Sequence, residues 1–422
     1  MTTVPTPRAL IPVPPGRGRW RLTLHNRQFA DTSWQNTLIA ELTDARGRQL
    51  VQQLNSSASL TFSLDGQSDG ARLIHELDHD VIAWRWNELT GADVPYFRGI
   101  IAQSEDQLSE QAHTVTFTAH DYLAVLTRRF VTATLNYNNV DQDSIVADLL
   151  ARSSAIVTTD GATSFVPGSY LPLHASNVAQ DGTARGLSGQ LRVRTYAGSS
   201  EMAQTIDDLA HVINGYDYDV VPGWRYGGTN MADLFRIFYP NQGVVRSAPV
   251  LEYGGAIAAL TRSLNSGDYA DFERVLGNNG SADPAAAQRY SEQWNSDANN
   301  ITVSPVGLWM NSTNAADVSV QATLDQQALG SLNYDGLLMP SYTLTLAPNV
   351  YRDGLVNMGD TVPVVIRSGR LNVNTALRIV GLTFDIGDDG QEDVGVTVGR
   401  PLTSLLNMLD ATSTDVNALA RR

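Results

Sequence analysis

Residues 97–121 read FRGIIAQ-SEDQLSEQ-AHTVTFTAHD: an apolar run, an acidic polar turn, then a stretch where Val115, Phe117 and Ala119 alternate with threonines. Successive side chains of a strand point to opposite faces, so this alternation marks a half-buried strand and the whole segment a β-hairpin. Residues 377–400, LRIVGLTFDI-GDDGQE-DVGVTVGR, repeat the form, and each first strand carries an internal glycine, Gly99 and Gly381. Any two hairpins share this much. If the echo is a duplication, the chain holds two related barrels separated by an insertion.

Outward from this hairpin the pattern stays strand-like. Arg19–His25, Ser59–Leu64 and Val81–Asn87 precede it, the last placing Ile82, Trp84 and Trp86 on one face. Trp84 and Trp86 read as core or subunit interface before a sugar-stacking platform. Asp121–Arg129 reads as a helix capped by Asp121, with arginines at its negative end. Further on, the spacing predicts helices over Asp141–Ser153, over Ser200–Asn214 with Gly215 as left-handed stop, and over Asn314–Leu332. Residues 155–198 read as a long loop region with a hairpin, and 278–300 as a polar loop. Tyr216–Val221 with Leu234–Tyr239 read as a strand pair. Ser341–Ala347, Thr361–Arg367, Ala376–Ile386 and Asp393–Val398 are strands again, and 402–421 a terminal helix. The expected class is β-rich α+β: two small β-barrels with an α/β insertion between them. The expected divisions are an extended Pro-rich arm (1–19), a first β-barrel domain (20–130), a mixed α/β middle domain (131–300), a helix plus second β-barrel domain (301–400) and a C-terminal helix (401–422).

Composition narrows the function. The 422 residues carry a formal charge of −15, which argues against nucleic-acid binding as the main role, since phosphate recognition needs a basic footprint. Cysteine is absent, removing disulfides, thiolate nucleophiles and cysteine-held metal centres. Lysine is absent too, which excludes Schiff-base chemistry and a Walker lysine. No apolar run reaches the roughly 18–20 residues of a membrane span, and Pro12, Pro14 and Pro15 break the N-terminal stretch that a signal peptide would need.

Two motifs invite chemistry. His75-Glu-Leu-Asp-His79 is a literal H-E-x-x-H; on a helix both histidines would face one zinc and Glu76 would activate its water, the site of a zinc peptidase. The Trp84/Trp86 strand follows at once, and Ile82 and Arg85 stand where a metzincin extension needs Gly and His. The plainer reading is a short polar helix leading into a strand. Asp385–Asp393 resembles a calcium loop, but Val396 stands where the EF-hand carboxylate belongs, and a hairpin tip explains the same residues. Tyr253-Gly-Gly255 reads as a turn. No catalytic, cofactor-binding or metal residue is therefore assigned, no cofactor is expected, and the chain is not expected to be an enzyme.

The segment from Asp80 to Leu150 resembles phage tail hub proteins of the minor tail, or tail-associated, type. The resemblance is carried by Val81–Asn87, the FxGII form of Phe97–Ile101, Thr114–Asp121, Leu126–Arg129 and the helix Asp143–Ala151. Toward the end, SYTLTLAP, LVNMGDTVPVVI, LRIVGLTFDI and DVGVTVG resemble the second tail-tube-like barrel of such siphophage hubs. Residues 155–330 match nothing of this kind. The resemblance implies a virion protein at the tail tip, made in the host cytoplasm and without stable membrane insertion. It implies a homotrimer offering six barrels to a six-fold tail tube, and a joint between the tube with its distal tail protein ring and a central fibre or spike. DNA and the tape-measure protein would pass through its bore. Acidic tips such as Asp388, Asp389 and Glu392 would line that bore or be solvated, and the Pro-rich arm and terminal helix would strap neighbouring subunits. The rival expectation is a receptor- or glycan-binding tail protein with exposed aromatics on a concave face. With only residues 401–422 after the second barrel, no appended lytic domain is expected.

Overall fold

The computed structural model describes residues 11–399 apart from internal stretches, of which the longest are 165–172, 177–186, 279–287 and 296–307, so the expected terminal helix and the first ten residues of the arm lie outside the described residues. The chain opens with β1 (Trp20–Ala30), β2 (Ser33–Glu41), β3 (Arg46–Gln53), β4 (Ser59–Asp65), α1 (Asp69–Leu73), β5 (His79–Asn87), β6 (Ala92–Leu108), β7 (His113–His120) and α2 (Leu123–Leu126). A middle section follows: β8 (Leu135–Asp141), α3 (Gln142–Ser153), β9 (Ile156–Val157), β10 (Thr163–Ser164), β11 (Leu173–Ser176), β12 (Leu191–Tyr196), α4 (Met202–Ala210), β13 (Asp217–Arg225) and β14 (Asn230–Phe238). The rest comprises β15 (Leu251–Glu252), β16 (Ile257–Ser263), β17 (Phe272–Gly277), β18 (Tyr290–Trp294), β19 (Met310–Ala315), α5 (Gln321–Asp335), β20 (Ser341–Leu346), β21 (Thr361–Ser368), β22 (Leu371–Ile386) and β23 (Glu392–Val398).

Thirteen strands form one sheet, in the order β16-β20-β23-β22-β3-β4-β7-β6-β5-β1-β2, with β21 on β22 and β15 on β21. Its order contains the same five-strand path twice: β3-β4-β7-β6-β5 and β16-β20-β23-β22-β21, every neighbouring pair antiparallel and every strand in the same chain order. The two paths join where β22 pairs with β3. Among the described residues the hydrogen-bonded path is open at β16 and β2.

The two registers also superimpose. In β6·β7 a bulge follows Ile101, which faces Ala119; in β22·β23 a bulge follows Ile379, which faces Val398. Continuing across, Thr61 faces Thr118 as Thr343 faces Thr397, which aligns SLTFSL (59–64) with SYTLTL (341–346). The two internal glycines of the echo are not equivalent: Gly99 stands two residues before its bulge anchor, Gly381 two after. Gly99 is needed locally, because a Cβ there would lie 2.5 Å from the His120 carbonyl oxygen.

One core runs through both halves. Trp20, Leu50, Phe62 and Phe117 belong to the same cluster as Leu344, Phe384 and Val396, all buried. Each such side chain contributes roughly 1.5–3 kcal/mol by leaving water. The middle section has its own core of Ile145, Val146 and Leu149 from α3, Met202, Ile206 and Leu209 from α4, and Phe235 from β14. A third, small core (Val275, Ala315, Leu324, Ala328) packs α5 on the β18-β17-β19 sheet, which is inserted between β16 and β20.

Several elements differ from the sequence reading. Asn314–Leu332 is not one helix: Met310–Ala315 pairs in parallel with β17, and helix begins only at Gln321. Val318 lies in the intervening turn, its carbonyl accepting from Asn278 N–H at 2.8 Å. Tertiary pairing here outweighs helical spacing. Residues 278–300 include the strand β18. The helix expected over Ser200–Asn214 is confined to Met202–Ala210, and the left-handed residue after it is Asn214 at φ 56°, not Gly215. Over Asp121–Arg129 a single turn forms, Leu123–Leu126. Asp121 does cap it, accepting from Leu123 N–H at 3.1 Å and from Ala58 N–H at 2.8 Å.

Gly243 (φ 86°) and Gly359 (φ 83°) cross where the middle section meets the second half; a Cβ on Gly243 would lie 2.1 Å from the Gly359 carbonyl carbon. Gly254 has a similar φ of 85° and open space around it. Gly243→Ala is therefore expected to cost at least about 3 kcal/mol in chemical denaturation, against about 1–2 kcal/mol for Gly254→Ala, which meets only the backbone penalty.

Candidate functional site

The H-E-x-x-H stretch is not helical. Helix α1 ends at Leu73, Leu77 takes a left-handed φ of 66°, and His79 opens β5. Leu77 N–H donates to the Ile101 carbonyl at 2.8 Å, the same contact that Gly359 N–H makes with Ile379 at 2.9 Å in the second half. The motif is thus a turn required by the repeated unit. His79 Nδ1 accepts from His75 N–H at 3.1 Å, and burial together with the neighbouring His75 pulls the His79 imidazolium below its usual pKa. A hydrogen bond from Ser104 holds the Glu76 carboxyl low. Among the described residues no three His, Asp or Glu side chains are grouped to hold a metal.

The Asp385–Asp393 segment is the β22–β23 hairpin, with Asp385 opposite Asp393 and Gly387 N–H donating to Gln391. Two of its oxygens are engaged: Gln49 donates to Asp385 at 2.6 Å, and Arg48 donates to the Gly387 carbonyl. A guanidinium at that carbonyl opposes a cation there. Asp388 is exposed, and Asp389 lies outside the described residues.

Glu392 does not join an acidic tip. Its side chain is 7% exposed and accepts from Arg85 Nε at 3.0 Å and Nη2 at 2.6 Å, Arg19 Nη1 at 3.0 Å and Trp20 Nε1 at 2.7 Å. Burial by itself would raise its carboxyl; the bonds and charge of Arg85, with Trp20 and Arg19, outweigh it and hold the group below its ordinary value. The Arg85 guanidinium is 1% exposed and boxed by Trp20, Tyr96, Tyr351 and Phe384, with ring centroids 5.3–5.9 Å away. Two rings of this box come from each half of the sheet.

A second buried cation, Arg98 on β6, donates to Asp80 at 2.9 Å, Asn36 at 3.1 Å and Asp233 at 3.3 Å. Tyr122 completes the cluster by donating to Asp80 at 2.8 Å. It fastens the middle section, through β14, to the first half. Two carboxylates share this cation, and burial, only partly offset by Arg98 and aided by Asp80, pushes the Asp233 carboxyl up to about 7. Asp217 likewise receives Arg378 of β22 and Gln242 N–H, tying the middle section to the second half.

What remains open is edge and surface. The tip of β6 is exposed, Leu108 at 77%. On the small inserted sheet, Tyr290, Trp294 and Met310 are exposed on the side away from α5. Trp84, half-buried, donates to Thr23 at 2.7 Å and the buried Trp86 to the Ile11 carbonyl at 3.0 Å, so the two do not form one exposed platform and Ile11 of the arm lies on its own chain. The sequence reading missed the two arginine clusters; Glu392 lies 307 residues from Arg85 and Asp233 lies 135 from Arg98, and the nearer partner Asp80, 18 residues before Arg98, sits on a neighbouring strand without a sequence signal.

No family model matches the chain, and no curated protein does. The fold is that of a solved phage protein: the 43 kDa tail protein of prophage MuSo2 from Shewanella oneidensis superimposes at TM-score 0.51 with 12% identity, over 90% of this chain and 98% of that one. A tail protein from Neisseria meningitidis MC58 gives 0.48 with 13% identity over 90% and 96%. Prophage tail protein gp18 from Listeria monocytogenes EGD-e gives 0.48 with 11% over 94% and 99%. The chain therefore shares the fold of the MuSo2 tail protein. Among the described residues no helix is long and apolar enough to cross a membrane.

Glu392→Gln removes the carboxylate that compensates a buried Arg85 and is expected to cost about 3–5 kcal/mol by denaturant titration at pH 7. Because the Glu392 pKa is depressed on folding, its contribution is complete above the ordinary glutamate range and fades as pH falls through it; the variant lacks that acid-side loss. Asp233 has the opposite sign. Its folded pKa is raised, so its own contribution to stability falls as pH rises from the ordinary aspartate range through about 7. Asp233→Asn is expected to remove that part of the decline, leaving the parts of Asp121 and Glu273, whose carboxyls burial also raises, to about 6 and about 7, and to match or exceed wild-type stability at pH 8.

Proposed function

We propose that this chain is a structural protein of a phage tail tip, a trimeric hub that joins the tail tube and its distal ring to the central fibre or spike and forms the channel for tape-measure protein and DNA. The observation that carries this reading is the doubled five-strand path, joined edge to edge through β22 and β3. A chain with two like units is suited to match three-fold symmetry to six-fold: three copies present six units. The fold shared with the MuSo2 tail protein supports the setting. Each unit is the counterpart of one expected tube-like barrel, and closure into rings would come from assembly. The middle section, β8–β14, lies between the two units, the second of which begins with β16 (Ile257–Ser263).

An acid chain suits a conduit for DNA, since like charge keeps phosphates from adhering. With Glu392 held by Arg85, the exposed acids at the hairpin ends include Asp385, Asp388 and Asp393 on one hairpin and Glu105, Asp106 and Glu110 on the other. A receptor-binding reading rests on Tyr290, Trp294 and Met310 of the inserted sheet, and would make that sheet an outward-facing appendage of the hub.

Light scattering with negative-stain microscopy tests the hub reading. The expected particle is a three-fold ring near three times 45.7 kDa with an open centre. A chain that stays a compact monomer at every concentration, and also when mixed with its tail tube and distal ring proteins, would sink it.

A further inference from the structure

We infer that neighbouring copies of this chain join by pairing the tip of β6 with the free edge of β16 in the next copy, in the register that β22 and β3 show within one chain. This rests on the ring reading above and gives it a contact surface. The joint is present once in each chain: Gly381–Ile386 of β22 pair with β23 on one edge and with Arg48–Gln53 of β3 on the other. By the superimposed bulges, β6 is the counterpart of β22 and β16 that of β3. Both counterparts lack the corresponding strand. Beyond Ile100, β6 pairs with β7 alone among the described strands, and β16 pairs with β20 alone.

Transferring the register residue by residue makes a specific prediction. Thr383 opposite Val51 becomes Glu105 opposite Ser263 of the next copy. Phe384 opposite Leu50 becomes Asp106 opposite Arg262, Asp385 opposite Gln49 becomes Gln107 opposite Thr261, and Ile386 opposite Arg48 becomes Leu108 opposite Leu260. The pairs complement each other without having been chosen for it. Asp106 meets a cation, and Leu108, 77% exposed in the single chain, meets a partly buried leucine. Arg262 lines a cavity of about 260 Å³ together with Arg370 and no carboxylate, so an entering acid finds two cations there. In the single chain Asp106 is held by His113 at 2.7 Å. A joint between two different edges is head-to-tail, and repeats around a ring instead of ending in a pair.

The chain has no cysteine, so disulfide trapping reads the contact directly. A Gln107→Cys chain mixed with a Thr261→Cys chain is expected to form a covalent heterodimer on mild oxidation. A Glu105→Cys chain, displaced by two residues or about 7 Å along the strand, is expected to react with Thr261→Cys about tenfold more slowly. Adding Asp106→Arg or Arg262→Asp alone should reduce trapping about tenfold, and adding both should restore it. Three-fold particles in which residues 107 and 261 do not cross-link, or in which residue 105 reacts as fast, would overturn this pairing and leave the hub reading standing. Neither rings nor cross-links at the highest attainable concentration would overturn both.

Discussion

A guanidinium buried between aromatic rings sets the terms for the rest of this molecule. Arg85 sits in a box formed by Trp20 and Tyr96 from the first half and Tyr351 and Phe384 from the second, and its charge is met by Glu392 at the end of the last hairpin. Desolvating a cation is costly unless its partners are fixed. The strands on both sides must therefore close together, and neither half retains the box alone. The same logic recurs with Arg98 and with Arg378, each linking the middle section to one half. All these cations are arginines, as in a chain without lysine they must be, and the side chain suits the sites. A planar fork holds two acceptors at once and tolerates aromatic walls, where an ammonium would not.

The two halves obey one topology but are used differently. In the second, a left-handed glycine, Gly359, makes the turn before β21; in the first, Leu77 takes that conformation without glycine's freedom. The first half keeps its strands contiguous, whereas the second admits the whole β17–β19 and α5 unit between its first two strands. That insertion lengthens a connection at the surface and leaves the core register unchanged, which is where a β-sheet tolerates added chain.

Strand content was legible because alternation is a local signal: SLTFSL, HTVTFTA and SYTLTL each declare a buried face within six or seven residues. The duplication was only half legible. Two hairpins looked alike, but the glycines that seemed to match are offset, and the equivalence of 59–64 with 341–346 becomes visible only through the strands each faces. The short polar helix expected over the H-E-x-x-H stretch did not form for a related reason: helical spacing is lost when Leu77 must turn left-handed to reach Ile101. The arginine clusters were illegible because strand pairing, which has no local signature, brings their members together, and no single residue in them is unusual.

Open sheet edges invite indiscriminate pairing, and proteins guard them with charge. The β6 tip carries Glu105 and Asp106, and Glu110 follows in its turn, all exposed. Two such tips repel one another, so this edge resists self-pairing and accepts an edge that carries a cation. The outer edge of β16 carries Arg262, with Arg370 nearby. Acidity at one edge and arginine at the other thus guard against like-with-like pairing and favour head-to-tail pairing. The negative charge of the chain and its doubled sheet are then parts of one design, in which the contact made inside the chain is the pattern for the contact made between chains.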